Sequence, residues 1–172
     1  MLRGINLGST RRVPMADLRE LLGAAGFQNV ETYVQSGNIV LTSTAKPAAL
    51  ESRIAALIEE RFGFEVPVVV RSGKQLAAVI EHDPFQGVAH NPKRYQVSFL
   101  SAKLSAQTVT RLQELAHESE RIAVHGREVY AWHPDGVARS KLWNALAGKG
   151  LGVTATARNW TTVNRLLEMA AA

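Results

Sequence analysis

The chain has 172 residues, 46% of them hydrophobic and 20% charged, a globular composition that excludes intrinsic disorder. It contains no cysteine, which excludes disulfides, thiolate metal sites and cysteine nucleophiles together. The formal charge is +5, and 14 of the 20 basic residues are arginine, the side chain suited to bidentate recognition of phosphate or carboxylate; the excess is too small and dispersed to specify a nucleic-acid-binding protein.

Leu2 to Asn6 reads as the end of a first strand. A polar turn through Gly8-Ser9-Thr10-Arg11-Arg12 leads to Pro14, which suits the first turn of a helix. Met15, Leu18, Leu21 and Leu22 then recur at helical spacing up to a stop at Gly26. Thr32-Tyr33-Val34 and Ile39-Val40-Leu41 read as two strands joined through Ser36-Gly37-Asn38. Pro47 opens a second helix with Leu50, Ile54, Leu57 and Ile58 on one face, and Gly63 ends it. Val66 to Val70 is β-branched and reads as a buried strand. A helix follows over Lys74 to Glu81.

After a polar stretch the pattern resumes with a strand at Tyr95 to Leu100 and a helix marked by Val109, Leu112 and Leu115. Arg121 to Val124 and Glu128 to Trp132 form a hairpin around His125-Gly126. Helices are expected over Lys141 to Lys149 and Thr161 to Ala171. The order predicts an α+β fold of two ferredoxin-like βαββ(αβ) halves, with mainly antiparallel sheets and helices packed on them. The expected division is 1–82, a linker at 83–93, and 94–172. At 172 residues such a chain buries roughly 70% of its unfolded surface without a metal or disulfide staple.

Four polar segments sit at element ends: Arg3-Gly4-Ile5-Asn6, Gln35-Ser36-Gly37-Asn38, Arg139-Ser140-Lys141 and Arg158-Asn159-Trp160. The last two put cations at helix starts, where positive side chains work against the macrodipole and free N–H groups favour an anion. An anion site is one reading. The other is capping, since Ser140 and Asn159 are good N-caps.

No pair among His82, His90, His117, His125 and His133 has the spacing that puts two imidazoles on one helix face, so no metal site is expected. Neither a Gly-x-Ser-x-Gly elbow nor a phosphate-binding glycine loop is present, and no cofactor signature is read. The candidate RNA-facing strand Ile39-Val40-Leu41-Thr42 carries no aromatic platform. Trp132, Trp143 and Trp160 read as core or edge residues. The opening residues show no apolar signal region and no run of about 18 apolar residues exists, so a cytoplasmic protein without membrane association is expected.

Six motifs in one order carry a family resemblance. They are Leu2-Arg3-Gly4-Ile5-Asn6-Leu7-Gly8, Val13-Pro14-Met15-Ala16-Asp17-Leu18 and Tyr33-Val34-Gln35-Ser36-Gly37-Asn38, then Gly126-Arg127-Glu128-Val129-Tyr130, Arg139-Ser140-Lys141-Leu142 and Thr156-Ala157-Arg158-Asn159-Trp160. The chain resembles the bacterial DUF1697 family from Leu2 to about Leu167. The resemblance implies a duplicated, ferredoxin-like α+β fold and assigns no activity, substrate or cofactor. Members of that family carry further apolar residues ahead of the position of Leu2, so either the start is misassigned, the chain is trimmed, or the first strand is short here.

The leading functional expectation is a binding module for a small anionic or phosphorylated ligand. Its residues would be Arg3, Asn6, Gln35, Ser36, Asn38, Arg139, Ser140, Lys141, Arg158, Asn159 and Trp160. An enzyme acting on a phosphorylated or nucleotide-like substrate is the alternative, with Lys141 as the one proton-transfer group in the cluster. Nucleic-acid binding through Arg11, Arg12, Lys93, Arg94, Arg139 and Lys141 is a third reading, and a structural or partner-binding role a fourth. Oligomeric state is left open.

Overall fold

The first helix, α1 (Met15–Ala24), forms because Met15, Leu18 and Leu22 recur on one face and are buried there. It closes at Gly26 (φ +87), and the Phe27 N–H then reaches back to the Leu22 carbonyl. These contacts belong to a computed structural model that describes residues 1–148 and 150–171. Strands β1 (Gln28–Tyr33) and β2 (Asn38–Thr42) pair antiparallel, with Tyr33 opposite Asn38. Helix α2 (Pro47–Phe62) starts on its proline, buries Leu50, Ile54 and Ile58, and ends at Gly63 in the left-handed region.

The two outer strands expected in this half are reduced to one antiparallel bridge, Leu2 to Val68. Reciprocal bonds between Met1 and Val69 and one from the Arg3 N–H to the Pro67 carbonyl extend it slightly. Pairing stops there because Gly4 (φ +66) and Asn6 (φ +54) turn the chain out of extended geometry, and Pro67 has no N–H to donate. Leu2, Ile5, Val13, Leu18, Leu22, Ile54 and Ile58 form the core of this half.

The remaining elements are α3 (Gly73–His82), β3 (Tyr95–Leu100), α4 (Ala106–Leu115), β4 (Arg121–His125), β5 (Glu128–Trp132), α5 (Lys141–Ala147), β6 (Ala155–Asn159) and α6 (Trp160–Ala171). The sheet order is β4-β5-β3-β6, antiparallel throughout. The run β3-α4-β4-β5-α5-β6 has the element order of a split βαβ unit. Strand β6 is absent from the sequence reading. Its segment Ala-Thr-Ala-Arg-Asn has little β propensity and is held by five pairings to β3. Helix α5 ends at Ala147; Lys149, expected in it, and the terminal Ala172 lie outside the described residues.

The central strands β3 and β5 are buried on both faces. Leu100, Val129, Ala131 and Ala155 pack with Leu112, Leu142 and Leu146 of α4 and α5. On the other face the Tyr130 hydroxyl donates to the Val79 carbonyl of α3, and Tyr95 stacks on Trp160 of α6 at 4.6 Å. Packing divides the chain into two compact units, residues 1–73 with the end of α6 from Glu168, and residues 74–167. The sequence reading puts the boundary at 83–93; packing assigns α3 beyond Gly73 to the second unit, because Leu76 and Val79 are buried and Asp83 accepts from the Tyr95 hydroxyl at 2.7 Å. No described helix is long and apolar enough to cross a membrane.

Candidate functional site

The eleven expected ligand residues fall five in the first unit and six in the second. In the first unit the Asn6 amide donates to the Val13 and Gln35 carbonyls at 3.0 and 2.7 Å, while its oxygen accepts from the Val13 N–H. Asn6 therefore closes the 6–13 loop and ties it to the β1–β2 turn. Asn38 is fully buried and donates to the Tyr33 carbonyl and the Ser36 hydroxyl, both at 3.0 Å. Gln35 is exposed, and Arg3 is half-buried with its N–H on the Pro67 carbonyl.

In the second unit Ser140 caps α5, accepting from the Trp143 N–H at 2.9 Å. Asn159 accepts from the Thr162 N–H at 2.9 Å at the start of α6. Arg139 and Lys141 are exposed. Arg158 is buried in β6, where it donates to the Thr156 hydroxyl and the Ala157 carbonyl; burial lowers its guanidinium to about 10. Trp160 is taken up by its stack on Tyr95.

Beside Ser140 lies a buried polar network absent from the sequence reading. His133 Nδ1 meets Glu120 Oε1 at 2.6 Å, and Glu120 Oε2 accepts from the His117 N–H at 2.9 Å. Burial works to raise the Glu120 carboxyl, but hydrogen bonds from Ser140, His117 and His133, with the His133 charge, outweigh it and leave the carboxyl below its ordinary value. His133 is fully buried, its Nε2 has no hydrogen-bond partner, and its ring sits edge-on to Trp143.

A different set of side chains surrounds open space. The second unit has a hollow of about 290 Å³ at the β4–β5 turn, lined by Gln75, Lys103, His125, Arg127, Glu128 and Tyr130. The local fold explains the convergence. A two-residue turn, Gly126-Arg127, joins β4 to β5, with Gly126 at φ +59 and His125 directly opposite Glu128. Directly paired residues share a face of the sheet. The Arg127 carbonyl accepts from the Leu100 N–H, so the turn lies against the end of β3, from which Lys103 follows.

Helix α3 supplies Gln75, Ala78 and Val79 to the wall, and His82 stacks on His125 with centroids 3.9 Å apart and planes 29° apart. Burial first, then the Glu128 and Asp83 carboxylates, raise the Tyr130 phenol well above its ordinary value, so it stays a neutral donor to Val79. Among the described residues no group of three or more His, Cys, Asp or Glu is placed to hold a metal. The hollow is lined by hydrogen-bond donors and positively charged side chains, with Glu128 the one carboxylate among its described lining residues. The sequence signal for it was the Gly126-Arg127-Glu128-Val129-Tyr130 motif, which carried the resemblance without a role.

Residues 1–130 match the family described as "Protein of unknown function (DUF1697)". A solved structure, the conserved bacterial protein SP0830 from Streptococcus pneumoniae, has a similar fold, with a TM-score of 0.78 at 22% identity. The likeness covers 99% of this chain and 96% of that one. No curated protein matches the chain.

Proposed function

The chain belongs to the DUF1697 family of proteins of unknown function, and we propose that its second unit binds a small anionic ligand in the hollow at the β4–β5 turn. One observation carries this reading: Lys103, His125, Arg127 and the Gln75 amide line a single open space against one carboxylate. Lys and Arg supply charge-assisted hydrogen bonds, the strong class for phosphate or carboxylate ligands. The reading moves the ligand away from the eleven polar residues at element ends. Asn6, Ser36 and Asn38 close the 6–13 loop and the β1–β2 turn, and Ser140 and Asn159 cap α5 and α6. We take the compartment to be the cytoplasm, since the cysteine-free composition carries no mark of oxidative folding.

Titration calorimetry with inorganic phosphate tests the proposal. A charge-assisted hydrogen bond contributes about 1.5–3 kcal/mol, so Lys103→Ala and Arg127→Ala should each weaken binding roughly ten- to a hundredfold. Absence of binding to the wild-type chain at about 10 mM phosphate, or undiminished binding to a chain carrying both Lys103→Ala and Arg127→Ala, would overturn it.

A further inference from the structure

We propose that the first unit docks an acidic, apolar segment of a partner protein on Leu7 and Val34, where the 6–13 loop meets the β1–β2 turn. Among the described residues three large hydrophobic side chains are exposed: Leu7 at 74%, Val34 at 51% and Val88 at 48%. Such side chains scattered singly are ordinary on a protein surface. Leu7 and Val34 are not scattered. They adjoin the two ends of one hydrogen bond, from the Asn6 amide to the Gln35 carbonyl at 2.7 Å, which joins the loop to the turn. Both are held out by fixed backbone. The Asn6 N–H donates to the Arg11 carbonyl at 3.1 Å, and the Asn6 side chain bonds Val13 in both directions, so the loop carrying Leu7 is closed at its base. Val34 stands at φ +49, a costly place for a β-branched residue, and is pinned on each side. The Tyr33 carbonyl accepts from Asn38 and the Gln35 carbonyl from Asn6. Strain of this kind concentrates at binding sites, and a preorganised surface loses little freedom on docking.

Charge selects the occupant. Arg11 and Arg12 are exposed in the same loop, and among the described residues neither has a carboxylate partner. Arg11 donates to the Glu65 backbone carbonyl and lies over the Phe64 ring at 5.4 Å, contacts that leave its charge uncompensated. A second copy seated here about a twofold axis would bring like cations face to face. Single-stranded nucleic acid takes aromatic stacking platforms, whereas Leu7 and Val34 are aliphatic. An anionic lipid surface calls for about four to eight clustered basic residues, and the loop supplies a pair. A peptide that sets carboxylates beside bulky apolar side chains satisfies the cations and covers the apolar pair together.

Selection of random peptides displayed on phage against the full chain tests the proposal, with fluorescence anisotropy of the tightest peptide as the readout. Enriched peptides should carry Asp or Glu beside Leu, Ile or Phe. Leu7→Ser should weaken binding about tenfold, the loss expected for one uncovered aliphatic side chain. Arg11→Gln with Arg12→Gln should weaken it about fivefold or more and remove most of its salt dependence. Val34→Asn relieves the left-handed strain, so it should weaken the peptide while raising thermal stability, a combination that damage to the fold does not produce. No enrichment, enriched peptides without acidic residues, or unchanged affinity in Leu7→Ser and Val34→Asn overturns the proposal. So does a wild-type dimer in sedimentation, or co-sedimentation with phosphatidylserine vesicles, that Leu7→Ser abolishes, since either assigns the patch to another occupant. Phosphate binding by the second unit is a separate measurement and stands or falls independently.

Discussion

At the scale of single residues, the turn between β1 and β2 shows two opposite uses of the left-handed region. Gly37 stands at φ +78, and a Cβ placed there would lie 2.6 Å from Leu2 Cβ and 2.9 Å from Ile5 Cδ1. Its carbonyl meanwhile accepts from the Leu2 N–H at 2.8 Å. Both backbone sign and close approach demand glycine. Gly37→Ala should cost about 2–5 kcal/mol, from left-handed strain of 1–2 and overpacking of 1–3. Urea denaturation checks this, and a loss under about 0.5 kcal/mol would show that the turn can move away. Val34 occupies the same region at φ +49 while half exposed, an unfavourable place for a β-branched side chain. Val34→Asn should therefore raise stability by about 0.5–1 kcal/mol in the same measurement. The sequence marks Ser36-Gly37-Asn38 as a turn but reads Val34 as strand, because branching at Cβ favours strands wherever tertiary contacts do not impose another geometry.

Between elements, Glu120 is the joint of the second unit. From the position just before β4 it holds His133 just past β5, the His117 N–H, and Ser140 at the N-terminus of α5. Its folded-state carboxyl lies below the ordinary value of 4.5. Its contribution to stability is therefore fully present above that value and is lost as pH falls through the lowered folded value. Glu120→Gln should cost about 2–4 kcal/mol at neutral pH by weakening charge-assisted bonds to buried groups. It should also flatten the acid limb of the stability curve below about pH 5; denaturation midpoints across pH report both effects. The cap at Ser140 was legible, since serine before an apolar helix is a local signal. The Glu120–His133 contact was not, because twelve residues forming a hairpin lie between the partners. Strand β6 escaped for a related reason: its strand state comes from β3, against the preference of Ala155, Ala157 and Asn159.

Across the whole molecule, a net charge of +5 predicts only weak, nonspecific attraction to polyanions. Retention on a heparin column at low salt should vanish by roughly 0.2 M salt, as counterion release from a few contacts requires. Retention well beyond that would restore the nucleic-acid reading and displace the small-anion one.

By itself the sequence determined the α+β class, both hairpins, the helix faces and most helix ends. Each of these rests on periodicity or on glycine and proline geometry within a few residues. Tertiary structure decided the rest. It reduced the outer strands of the first half to a bridge at Leu2 and Val68, and it recruited Ala155–Asn159 into a sheet. It gave Asn6, Asn38, Ser140 and Asn159 to loop and helix closure, and gathered Gln75, Lys103, His125 and Arg127 around one hollow. Those outcomes depend on which distant backbone a segment meets, and no local preference carries that information.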